Sequence, residues 1–180
     1  MKKNIFVLVG VLTIIFAGSF VVKASADTIP MQEVNRVYNP NTGEHLFTPS
    51  IFEESYLVDK GWKGEGNAFF IPNPPIEVLL NNRPSYIGPS IQRLYNPNVG
   101  EHFYTASSYE ASVLVSKGWK RDLITILTAT EKVGVPVYRL YNPNAIVGSH
   151  HFTENTYERD SLVQHGWRYE GVAFYALPNP

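Results

Sequence analysis

A single unit occurs three times along this chain, and no other feature constrains the fold as tightly. The first copy reads Arg36-Val37-Tyr38-Asn39-Pro40-Asn41, then Gly43-Glu44-His45-Leu46-Phe47-Thr48, and runs on to Gly61-Trp62. The second reads Arg93-Leu94-Tyr95-Asn96-Pro97-Asn98, then Gly100-Glu101-His102-Phe103-Tyr104-Thr105, and reaches Gly118-Trp119. The third reads Arg139-Leu140-Tyr141-Asn142-Pro143-Asn144, then Gly148-Ser149-His150-His151-Phe152-Thr153, and reaches Gly166-Trp167. Tyr and Trp stand 24, 24 and 26 residues apart, the last copy carrying two extra turn residues.

Each block dictates a local structure. Arg-Val/Leu-Tyr alternates polar and apolar positions and is rich in strand formers, so it reads as a strand. Asn-Pro-Asn-x-Gly is a turn, in which proline pre-sets φ and glycine supplies a positive φ. His-x-aromatic-Thr is then the returning strand of a hairpin. Ser50-x-x-Glu53, Ser107-x-x-Glu110 and Asn155-x-x-Glu158 are helix starts, the Glu expected to reach back to the cap. Gly61, Gly118 and Gly166 sit where a left-handed C-terminal residue is wanted, so each helix is about ten residues long. Beyond the tryptophan, Gly64 to Phe70 and Tyr169 to Tyr175 read as one or two short strands broken by glycine. Copy two keeps strand formers from Arg121 to Leu127 but loses the Glu-Gly pair and the final aromatic.

The repeats span about 34–72, 91–127 and 137–176, with a proline-rich linker at 73–90. Ahead of them, Lys2-Lys3, an apolar run from Ile5 to Val22 and the triplet Ala24-Ser25-Ala26 have the order of a secretory signal peptide. An uncleaved membrane anchor is the alternative, since the run approaches spanning length. Cleavage after Ala26 leaves a single domain, 27–180, secreted or associated with the cell surface. That loss removes three basic residues and no acid, leaving 12 basic against 16 acidic and a net charge of −4. No basic run exists to track a nucleic-acid backbone. Zero cysteine excludes disulfides, thiol nucleophiles and thiolate metal sites.

One hairpin, helix and strand cannot bury its own faces, so the three units must share a core. The expected fold is a β-rich α+β body of three such repeats around a pseudo-threefold axis, β-trefoil-like. The alternative is a non-barrel α+β stack of the three units. The unit, clearest from Val137 to Ala176, resembles a secreted bacterial and fungal repeat domain of unknown function, over nearly the whole mature chain. Relatives of that domain look like accessory modules of cell-wall hydrolases, and the resemblance implies binding to glycan or another surface polymer. It brings no catalytic residues with it.

The candidate ligand contacts repeat as well. Tyr38, Tyr95 and Tyr141 stand at the lip of the turn, beside Asn39, Asn96 and Asn142, pairing an aromatic face with a polar edge as sugar sites do. Asparagine is equally good turn chemistry. Trp62, Trp119 and Trp167 offer indole faces for a pyranose, although Gly-Trp after a helix also suits a core plug, the favoured reading. His45, His102 and His150 could converge on a metal, but satisfying turn backbone is the stronger reading. Neither a metal nor a cofactor is expected. Repeated acids (Glu44 and Glu101; Glu65, Asp122 and Glu170) give equivalent places rather than the asymmetric carboxylate pair of a glycosidase.

The sequence therefore points to a non-enzymatic, lectin-like module recognising cell-wall or host glycans through repeated weak sites. The alternatives are a protein-interaction or inhibitor module acting through the 72–90 loop, and a cell-wall hydrolase.

Overall fold

The computed structural model describes residues 30–73 and 88–180. The segment read as a signal peptide and most of the proline-rich linker lie outside these residues. In the first unit, β1 (Met31–Tyr38) and β2 (His45–Thr48) form a hairpin. Helix α1 (Ile51–Asp59) follows, and β3 (Lys63–Pro72) returns along the other side of β1. The second unit repeats this with β4 (Ile91–Asn96), β5 (Glu101–Thr105), α2 (Ser108–Ser116) and β6 (Lys120–Ile126). The third uses β7 (Val135–Tyr141), β8 (His150–Thr153), α3 (Thr156–Gln164) and β9 (Arg168–Ala176). Each unit builds a three-stranded antiparallel sheet with its first strand in the middle.

Three repeated units in a β-rich body are thus present, but no closed barrel forms among the described residues. The three sheets stay separate for a physical reason. The third strand of each unit pairs with its own first strand, so that strand's two edges are filled within the unit. Among the described residues, only the isolated bridges Phe70–Leu177 and Ala129–Tyr175 run outside these ladders.

The units are joined by packing instead. Val34, Phe47 and Phe69 from the first meet Ile91, Tyr104 and Ile126 from the second and Val137, Phe152 and Phe174 from the third. At the centre the rings of Phe47, Tyr104 and Phe152 sit edge to face in all three pairings, with centroids 5.7–5.8 Å apart. That geometry suits the ring quadrupoles. The buried Tyr104 hydroxyl accepts from the Phe47 N–H and donates to the Phe47 carbonyl, each at 2.8 Å.

The helices start and stop as the sequence predicts. Ser50 Oγ accepts from the Glu53 N–H, Ser107 Oγ from the Glu110 N–H, and Asn155 Oδ1 from the Tyr157 and Glu158 N–H groups. Gly61, Gly118 and Gly166 take φ of 94°, 95° and 92°, and the next residue, the tryptophan, donates its N–H back to the helix.

Candidate functional site

The helix glutamates do not reach back to their caps. Each crosses to the next unit and meets an arginine. Arg93 donates to both Glu53 carboxylate oxygens at 2.7 and 2.8 Å and, through Nε, to Asp122 at 2.7 Å. Arg139 bridges Glu110 (3.1 Å) and Glu170 (2.8 Å) in the same way. Arg36 closes the circuit, reaching Glu158 of the third unit at 3.0 Å and Glu65 at 2.7 Å. The third strands break register opposite these arginines, and the local bulge turns Glu65, Asp122 or Glu170 toward the guanidinium. Copy two keeps this device despite its divergent tail: Asp122 supplies the acid and Ile126 fills the core place of Phe69 and Phe174. Leu123, at the position of Gly66 and Gly171, is fully exposed.

The conserved geometry extends to the turn side of the seams. Glu44, only 1% exposed, accepts from the His102 N–H at 2.7 Å and lies 2.9 Å from His102 Nδ1. Glu101 accepts from the Ser149 N–H and hydroxyl. His45 and His150 lie 3.6 and 3.5 Å from Glu65 and Glu170. The partners of His45, His102 and His150 are thus carboxylates rather than turn backbone. Burial, followed by the positive field of Arg139, holds the His150 pKa down to about 4. Burial, His151 and Arg36 hold His45 down to about 3. No group of three or more His, Asp or Glu side chains among the described residues is arranged to hold a metal ion.

The sequence-predicted contacts are distributed unevenly. Tyr38, Tyr95 and Tyr141 are half-buried, each tilted against its own unit's histidine at 4.9–5.1 Å. Asn39, Asn96 and Asn142 commit their side-chain oxygens to the turn, accepting from the N–H groups of Asn41, Asn98 and Asn144. Trp62, Trp119 and Trp167 are half-buried rather than core plugs. Trp119 packs on Phe103 beside Leu94 and Ala111. Among the described residues, Asn142 and Trp167 come together in a cleft. It has a volume of about 520 Å³ and lies between the turns of the third and first units, with Asn41, Asn144 and Ile146 in its lining. The two extra residues of the third turn widen that turn, and Gly148 seats it on the first. A Cβ at Gly148, whose φ is 65°, would lie 2.6 Å from Glu44 Cα. No charged side chain lines this groove.

A second cleft, of about 700 Å³, lies between α2 and β9, with Arg139, Glu110 and Glu170 in its wall and Tyr109 on its helix side. Tyr109 is 79% exposed, and its counterparts Phe52 and Tyr157 are 86% and 81% exposed. Sequence reasoning passed over these rings. Their signal is an aromatic between cap and glutamate in every copy, inside a stretch that the capping motif already accounts for. It also passed over Glu154, where the other units have Pro49 and Ala106. One of its carboxylate oxygens is buried without a partner, and burial pushes its pKa up to about 7.

These features define a class: a three-unit repeat protein, its units locked by a cyclic arginine–carboxylate relay and its clefts at the seams between them. The chain belongs to the family described as Domain of unknown function (DUF5648), whose model matches residues 32–177. No curated protein and no solved structure matches it. No helix among the described residues is long and apolar enough to cross a membrane.

Proposed function

We propose that this chain is a secreted, non-enzymatic binding module that recognises cell-wall or host glycan in a lectin-like manner. The observation that carries the reading is the groove between the first and third turns. There the Trp167 indole stands with the amides of Asn41, Asn142 and Asn144 in a lining without charge. An indole suits the apolar face of a pyranose, and amides can both donate to and accept from its hydroxyls. The basic-apolar-small order of residues 1–26 supports export, and the resemblance to accessory modules of cell-wall hydrolases supports a surface polymer as target.

A glycan array together with a peptidoglycan pull-down on the chain from Asp27 onward tests this. Retention of a neutral glycan is the expected result. Cleavage of the cell-wall substrate would overturn the non-enzymatic reading. Retention of a protein partner instead, lost on deleting residues 72–90, would transfer the function to that loop.

A further inference from the structure

We infer that the seam between the second and third units forms a second site, for a protonated amino sugar of a cationic glycan. This rests on the glycan reading above and adds the charge of the ligand and a site apart from the turn groove. Each seam brings one arginine between two carboxylates, so each triad carries a net charge of −1. The carboxylates are not sealed. Glu110 and Glu170 are about one-third exposed, with 33% and 31% of their side-chain surface open to solvent, and both line the α2–β9 cleft. Carboxylate oxygens have more acceptor sites than one guanidinium fills, so a further donor is accommodated there.

Next to each triad glutamate stands an exposed ring: Phe52 before Glu53, Tyr109 before Glu110, Tyr157 before Glu158. Nothing in the fold uses these rings. None makes a ring–ring or cation–π contact among the described residues, whereas most aromatics of the chain do. An aromatic face beside a net negative charge attracts a cation, and the same face stacks on the apolar side of a pyranose. An amino sugar offers both in one residue, a ring to stack and an ammonium for the carboxylates. An acidic sugar meets repulsion at this seam. The cleft volume of about 700 Å³ lies within the range of small-ligand sites, about 300–1,000 Å³.

Calorimetric titration of the chain from Asp27 onward, at a pH where the amine is protonated, tests the inference. The probes are a glucosamine oligomer, an N-acetylglucosamine oligomer of the same length, and oligolysine. The variants are the triple Phe52→Ala, Tyr109→Ala, Tyr157→Ala protein and, separately, Trp167→Ala. The three rings are exposed, so the triple variant keeps the wild-type melting temperature, checked in the same samples. The expected result is glucosamine-oligomer binding that falls at least about tenfold in the triple variant, weakens with salt, and survives Trp167→Ala. Undiminished binding in the triple variant, or no glucosamine-oligomer binding at all, overturns the inference. So does equal binding of oligolysine at the same rings, which would give the seams to a basic peptide. Failure of the N-acetylated oligomer to bind, with the cationic one retained at the rings, would remove the turn-groove reading and leave this one standing.

Discussion

Tyr104 carries the only hydroxyl among the three rings that meet at the centre, and it satisfies both backbone groups of Phe47. Replacing it by Phe keeps the edge-to-face packing and orphans a buried N–H and C=O. Tyr104→Phe is therefore expected to lower the unfolding free energy by about 1–3 kcal/mol, measured by denaturant titration. Glu154 behaves oppositely. Its folded pKa, about 7, lies above its unfolded value of 4.5, so its contribution is complete below the unfolded value and lost as pH rises through about 7. Glu154→Gln removes that ionisation. The variant should melt above the wild type on the alkaline side of pH 7 and show no such gain below the unfolded pKa.

At the scale of the element, the relay ties each helix to the following unit. Arg93 is 3% exposed, whereas Arg36 and Arg139 have 22% of their side-chain surface open. Losing the buried arginine leaves Glu53 and Asp122 facing each other without a cation. Arg93→Ala should cost about 3–5 kcal/mol, and Arg139→Ala less, because water screens its carboxylates. Denaturant midpoints of the two variants check the order. Hairpins, caps and helix-ending glycines were legible because each is decided within a few neighbouring residues: Ser50 and Glu53, Asn39 and Asn41, Gly61 and Trp62. The relay was not. Its contacts join residues 29, 40 and 122 positions apart, and glutamate at the third helical position reads as a capping box whether or not it caps. Strand pairing was hidden likewise, since the sequence shows three strands per unit but not which strand takes each free edge.

Across the whole molecule the same groups set the response to acid. His45 and His150 titrate near 3 and 4 in the fold against 6.5 unfolded. The unfolded chain therefore binds protons that the fold excludes, and this stability is complete above about 6.5 and lost as pH falls toward 4 and below. Burial alone would raise Glu158. Hydrogen bonds from His151 and Thr153 and the charges of His151 and Arg36 outweigh it and hold the pKa at about 2, adding a loss between 4.5 and 2. Melting temperature should fall between pH 6.5 and pH 4, the two histidines outweighing the opposite contribution of Glu154, and substitution of His150 by Gln should flatten that slope. The candidate site was half legible at this scale. Asn142 and Trp167 were singled out, but only the tertiary meeting of two turns, one lengthened by two residues and closed by Gly148, sets them apart from their counterparts in the other units.

That difference among equivalent tryptophans gives the most direct test of the functional account. Affinity for a neutral cell-wall oligosaccharide, measured by titration of Trp62→Ala, Trp119→Ala and Trp167→Ala proteins that remain folded by circular dichroism, compares three residues at one repeat position. The account predicts a loss of at least about tenfold for Trp167→Ala alone, with near wild-type affinity in the other two. Equal affinity in all three variants would contradict it.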